Sequence, residues 1–212
     1  MPGRTRLRAP DRWLDRNQRP LAAVALVLVV FVLACIVLSK ITTLFPQVGE
    51  LDPGLKRYQL SPTSRHVLDA IIFPSRPPVA ALTVVLLAAV AWRQGGWPAA
   101  ALAPAVAGAA VVAAVAKRVP PDSSLPSGHA AYAVATFGLA GWLCLRVRRP
   151  GIALALAVLA LATGPAKVAL ATHFPIDVVV GDALGLGWLL GVLLISHRLR
   201  LRARERDGGF RG

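Results

Sequence analysis

Long apolar runs alternate with short polar islands along this chain, and the run lengths set the first expectation. Residues 21–38, 79–92, 97–116, 130–145, 152–171 and 176–195 are nearly free of charge. A helix rises about 1.5 Å per residue, so roughly 20 apolar residues cross a bilayer core. The pattern therefore predicts an all-α integral membrane protein with six transmembrane helices. The first run could instead be a cleaved signal peptide, and Val32-Leu33-Ala34-Cys35 approaches a lipoprotein cleavage site. Leu33 is large for that site, and Ile36-Val37-Leu38 carry the run past the cysteine, which favours an uncleaved helix.

Local punctuation refines the elements. Residues 41–78 form the one long loop, broken by Pro46, Gly49, Pro53, Gly54 and Pro62. Within it Ser64 can cap a short helix whose Val67, Leu68, Ile71 and Ile72 share one face, an outer interfacial helix. His66 and Asp69 fall on it as a solvated polar face. The third run is expected to bend at Pro104, and the fifth to be interrupted at Gly164-Pro165. The sixth carries Gly181, Gly185, Gly187 and Gly191, two pairs at GxxxG spacing suited to close helix packing.

Charge gives the orientation. The amino tail carries six Arg, the turn at 93 one, the 146–149 loop three Arg and the carboxyl tail six. The opposite side carries Lys40, Lys56, Arg57, Arg65, Arg76, Lys117, Arg118 and Lys167, half of them in the long loop, which counts little. Both termini are thus expected in the cytoplasm of a multi-pass plasma-membrane protein. The organisation is a basic tail over 1–20, a six-helix membrane domain over 21–197 and a basic tail, expected to be disordered, over 198–212. Asp11-Arg12-Trp13-Leu14 is expected on the cytoplasmic lipid surface.

Composition agrees. The chain is 56% apolar, and its net charge of +14 lies mostly beside the hydrophobic runs, where it orients helices. With few aromatics and no basic face to stack bases, nucleic acid is set aside as a partner. Cys35 and Cys144 fall toward opposite membrane faces, too far apart to bridge.

The chemistry gathers in two islands, which the six-span topology places on the same outer face. Pro126-Ser127-Gly128-His129 opens the fourth run: Ser127 can cap a helix start, whose free N–H groups and partial positive charge suit a phosphate. Gly128 lets the backbone approach an anion, and His129 stands in the first turn. One span later comes His173-Phe174-Pro175-Ile176-Asp177, where a carboxylate four residues on can orient the imidazole. This is half of a nucleophilic relay. His129, His173 and Asp177 could alternatively bind zinc, but they offer three ligands without the usual spacing. Lys117, Arg118 and Lys167 supply cations, and Lys167 within an apolar run has no sequence-local acid. Asp182, a further acid inside the sixth run, could pair with Lys167 or with another cation.

The order basic pair, Pro-Ser-Gly-His, then a basic residue six before His-x-x-x-Asp resembles the type 2 phosphatidic acid phosphatase (PAP2) superfamily, which includes vanadium haloperoxidases. The plan of six spans is similar to its membrane-bound lipid phosphatases. The resemblance implies a PAP2-like bundle that removes a phosphate from a lipid phosphate or diphosphate at the outer leaflet, without metal or other cofactor. The implied substrates are a polyprenyl diphosphate or phosphate, phosphatidylglycerophosphate or phosphatidate. Besides lipid substrate and bilayer, no obligatory protein partner is evident. In the implied scheme His173 is the nucleophile that becomes phospho-histidine, Asp177 orients it and His129 protonates the leaving oxygen. Ser127, Gly128, Lys117, Arg118 and Lys167 bind the phosphoryl oxygens. Two departures stand out. The family's first motif is Lys-x6-Arg-Pro, whereas Lys117-Arg118 follows Ala110-Val111 at the seven-residue offset. The third motif begins Ala166-Lys167 where the family has Ser-Arg. They leave open a non-catalytic relative that only binds lipid phosphate. A channel or transporter would need polar residues along the spans, which are nearly free of them.

Overall fold

The structure, a computed structural model, describes residues 9–41, 60–118, 125–170 and 172–209. The breakers Pro46, Gly49, Pro53 and Gly54, the loop residues 119–124 and the outermost arginines lie outside the described residues.

Among the described residues nine α-helices follow one another: α1 Ala9–Arg16, α2 Gln18–Ile41, α3 Pro62–Ile72, α4 Pro77–Gly95, α5 Trp97–Ala100, α6 Leu102–Arg118, α7 Gly128–Arg146, α8 Pro150–Ala169 and α9 Pro175–Gly209. A 3-10 turn, Phe73–Ser75, joins α3 to α4. Among the described residues there is no strand. Six spans among the described residues are long and apolar enough to cross a membrane, with α5 and α6 acting as one, Trp97–Arg118. The six-span, all-helical expectation holds.

The centre of the bundle is α7 with α9. Their spans are 56% and 50% buried, against 17% for α2 and 11% for α4, which lie at the periphery with Val27, Leu26, Val85 and Leu86 facing outward. The reason is side-chain size. α7 carries a row of small residues, Ala130, Ala131, Ala133, Ala135 and Gly141, all buried, so its neighbours approach closely. Gly181 and Gly185 of α9 lie on the Ser127 and Ala131 carbonyls, whereas Gly187 faces Leu28 of α2 and Gly191 faces open space. Only the first GxxxG pair therefore serves the α7–α9 crossing. Trp188 ties α9 to α6 by donating to the Ala105 carbonyl at 2.7 Å.

Several local expectations shift, each for a physical reason. The third span breaks at Ala101, one turn before Pro104. Pro104 lacks the N–H that the Ala100 carbonyl would accept, and its ring crowds that carbonyl. α8 runs unbroken through Gly164-Pro165 to Ala169. The cap of α3 is Ser61, whose hydroxyl accepts from Ser64 N–H at 3.1 Å, because Pro62 suits a first helical position. α9 continues well past Ile195 as helix, to Gly209.

The amino-terminal α1 packs against the bundle. Leu14 is buried, Asp11 pairs with Arg146 of α7 at 3.3 Å, and Asp15 faces His197 of α9 at 3.3 Å. These contacts clasp one end of the bundle. The chemistry-bearing residues collect at the other end.

Candidate active site

Four helix termini converge there: the end of α6 with Lys117, the start of α7, the end of α8 with Lys167 and the start of α9. The α7 start forms as its sequence dictates. Ser127 takes an extended conformation and its hydroxyl accepts from Ala130 N–H at 3.4 Å. The first-turn N–H groups of Gly128 and His129 have no acceptor within the helix.

The α9 start forms a reciprocal cap. Pro175 occupies the first turn, Asp177 Oδ2 accepts from Phe174 N–H at 3.0 Å, and Asp177 N–H donates to the Phe174 carbonyl at 3.1 Å. The same Oδ2 lies 3.3 Å from His173 Nδ1, and Asp177 is fully buried. A carboxylate at a helix amino terminus is favoured by the helix dipole. Nδ1 of His173 is thereby occupied, which leaves Nε2 to meet a substrate.

One backbone contact joins the two islands: Ser127 N–H donates to the Asp177 carbonyl at 2.8 Å. Both residues have no exposed surface. Ser127 thus serves as cap and strut in this structure, with its hydroxyl turned to its own helix.

Beside this joint opens a cleft of about 420 Å³ lined by Lys117, Gly128, His129 and His173, and further by Ser75, Pro77, Ala80, Ala110, Ala114 and Tyr132. Tyr132 fixes one wall by donating to the Ala80 carbonyl at 3.0 Å. Lys167, Lys117 and His173 are close enough to His129 for their charges to act on it. Both histidines, Asp177, Ser127, Gly128, Lys117 and Lys167 are thus brought together. Arg118 is exposed and does not line the cleft. Asp182 is no partner of Lys167 here: its Oδ1 is buried without a hydrogen-bond partner, and it faces Gly164 of α8. Among the described residues no three His, Cys, Asp or Glu side chains gather as metal ligands would, and neither cysteine is bonded.

Sequence reasoning missed the contribution of the α3–α4 corner. Ser75 and Pro77 border the cleft, and Arg76 between them pairs with Asp69 of α3 at 3.1 Å. The available signal was Arg76 beside a proline at the start of a span.

Comparison with solved structures finds the same fold in a crystal structure described as the first transmembrane PAP2-type phosphatidylglycerolphosphate phosphatase from Bacillus subtilis. The TM-score is 0.66, 18% of residues are identical, and the match covers 82% of this chain and 96% of that one. Comparison with curated protein sequences gives no match. The family model of the PAP2 superfamily matches residues 22–201, which takes in most of α2, all of α3 to α8, most of α9 and both motif islands. The chain belongs to the PAP2 superfamily.

Proposed function

We propose that the protein is a membrane lipid phosphatase that hydrolyses a phosphate ester or anhydride of a lipid through a phospho-histidine. The observation that carries this reading is the single cleft on which His129, His173 and Lys117 converge, braced by the hydrogen bond from Ser127 to Asp177. The reported relative from Bacillus subtilis, described as a phosphatidylglycerolphosphate phosphatase, supports it.

In the first half-reaction the Nε2 lone pair of His173 forms a bond to phosphorus. The phosphorus–oxygen bond to the lipid breaks, and the leaving oxygen takes a proton from His129. Asp177, on Nδ1, holds the tautomer and offsets the positive charge that develops on the ring. Lys117, Lys167 and the first-turn N–H groups of α7 stabilise the phosphoryl oxygens, the task for which many phosphatases use metal. In the second half-reaction water attacks phosphorus and gives a proton to neutral His129. The nitrogen–phosphorus bond breaks, its electron pair returns to His173, and inorganic phosphate leaves.

The apolar part of the cleft wall, Ala80, Ala110 and Ala114, suits the start of a lipid chain. The charge distribution supports an orientation with both termini in the cytoplasm and the cleft on the extracytoplasmic side of the plasma membrane. Polyprenyl phosphates and diphosphates, phosphatidylglycerophosphate and phosphatidate all meet these requirements.

The test is phosphate release by purified protein in detergent over a panel of these lipids, with and without EDTA. Turnover that survives EDTA and disappears in His173→Ala is expected. Absence of turnover on every lipid would leave a binding protein, and loss with EDTA alone would restore a metal to the mechanism.

A further inference from the structure

The α3–α4 corner has features that the hydrolytic scheme does not use. Arg76 opens α4, flanked by the two cleft-lining residues Ser75 and Pro77. Its guanidinium lies 3.1 Å from Asp69, with the two side chains 49% and 42% exposed. An ion pair that exposed contributes little and opens readily. The ring of Phe73, 5.9 Å below, steadies the guanidinium without neutralising it.

Arg76 is also continuous with the site electrostatically. The charges of both Arg76 and Asp69 act on Lys167, and that of Lys167 acts on His129 and Lys117. α3 packs on α8, the helix that carries Lys167, and the 3-10 turn packs on α7. Lys117 thus lines the cleft, and Lys167 and Arg76, the latter between two lining residues, lie within electrostatic reach of it. The buried carboxylate beside it, Asp177, is already engaged with His173. Crowding like charges is unfavourable unless an anion relieves it. Lys117 and Lys167 beside the two histidines suffice for the transferred phosphoryl group. Arg76 stands one step outward, on the rim, and its planar fork suits bidentate contact with a second phosphate.

We propose that Arg76, with Lys167, forms a second anion subsite for the non-transferred phosphate of a lipid diphosphate, and that Asp69 is its resting counter-ion. This deepens the phosphatase reading of the same site and rests on it. The bound substrate then spans the cleft. The terminal phosphate meets His173, the inner phosphate takes Arg76 from Asp69, and the chain leaves along Ala80, Ala110 and Ala114.

The experiment compares kcat/KM for a polyprenyl diphosphate and the monophosphate of the same chain length, using purified protein in detergent. In Arg76→Gln the diphosphate-to-monophosphate ratio is expected to fall about tenfold or more, the effect of one lost charge-assisted contact. Arg76→Lys should recover part of it. Asp69→Asn, which keeps the cation and removes its counter-ion, should keep or raise the ratio. An unchanged ratio in Arg76→Gln overturns the proposal, whether both activities stay or fall together. So does loss of the ratio in Asp69→Asn, which would make the ion pair itself the requirement. Thermal stabilisation by inorganic pyrophosphate and by phosphate separates this proposal from the phosphatase reading. If the wild type turns over no lipid yet gains more from pyrophosphate, and Arg76→Gln removes that gain, the subsite stands and the phosphatase reading fails. Equal stabilisation by the two anions sinks the subsite.

Discussion

Gly181 of α9 crosses Ser127 of α7 so closely that a methyl group at 181 would lie 2.5 Å from the Ser127 carbonyl oxygen and 3.2 Å from its Cβ. The crossing has no slack, because the atoms opposite belong to backbone and to a buried cap. Gly181 thus sets the distance between the two motif-bearing helices, four residues after Asp177. Gly181→Ala is expected to push α9 outward and stretch the Ser127–Asp177 hydrogen bond. Overpacking of this kind costs about 1–3 kcal/mol. The expected result is a lower Tm in detergent together with a roughly tenfold or greater loss of kcat/KM, the effect of one disturbed hydrogen-bonded joint. Gly191→Ala, where nothing lies within 4 Å, is the matched control and should change neither.

If His129 protonates the leaving oxygen, its importance depends on the leaving group. His129→Ala should lower turnover of an alkyl phosphate lipid by about 10²–10⁴-fold, the usual range for a general acid. An aryl phosphate such as p-nitrophenyl phosphate, whose oxygen leaves without a proton, should lose far less. His173→Ala should abolish both reactions alike. Equal sensitivity of the two substrates to His129→Ala would remove it from the acid role.

Lys117 and Arg118 are adjacent in sequence but differ in position. Lys117 lines the cleft, whereas Arg118 is exposed. Lys117→Met is expected to reduce kcat/KM by about 10–100-fold, the effect of losing one charged contact to the phosphoryl oxygens. Arg118→Met should stay within about threefold, as a surface charge does. The reverse order in a steady-state assay would mean that the two side chains exchange places on substrate binding.

At the far end of the bundle, Arg146 and Asp11 form a pair with only 9% and 8% of the side chains exposed, and Arg146 Nε and Asp11 Oδ1 have no hydrogen-bond partner. Removing one partner strands the other, which costs about 3–5 kcal/mol in comparable buried pairs. Asp11→Ala alone should lower the Tm clearly. The double variant Asp11→Leu with Arg146→Met should recover most of it, because a buried charge pair is replaceable by apolar packing. Melting in detergent reads both.

Topology has its own test. With Cys35 and Cys144 replaced by Ala, Ser123→Cys should react with a membrane-impermeant maleimide from outside intact cells. A cysteine at Arg148, in the loop between α7 and α8, should react only after lysis. The opposite pattern would invert the protein in the membrane.

The sequence by itself determined the six spans, because an apolar run of helix length is a local property that only a bilayer or a core accommodates. It also determined that the Pro126–His129 and His173–Asp177 islands share one end of the bundle, since two spans lie between them and an odd number separates each from either terminus, where arginines mark the other end. The internal geometry of the second island was legible too, because i,i+4 spacing on a helix start brings Asp177 to His173 whatever surrounds it. The facing of one helix toward another was not legible. It depends on rotation about each axis, which summed packing of many small side chains decides. That is why Gly181 rather than Gly191 meets α7, and why Lys117 rather than Arg118 enters the cleft. Contacts between elements far apart in sequence are likewise tertiary: the Ser127–Asp177 joint, the clasp of α1 on Arg146 and His197, and Arg76 on the rim. The residues that do chemistry were written in two short motifs; their spacing in three dimensions was set by the helices packed between them.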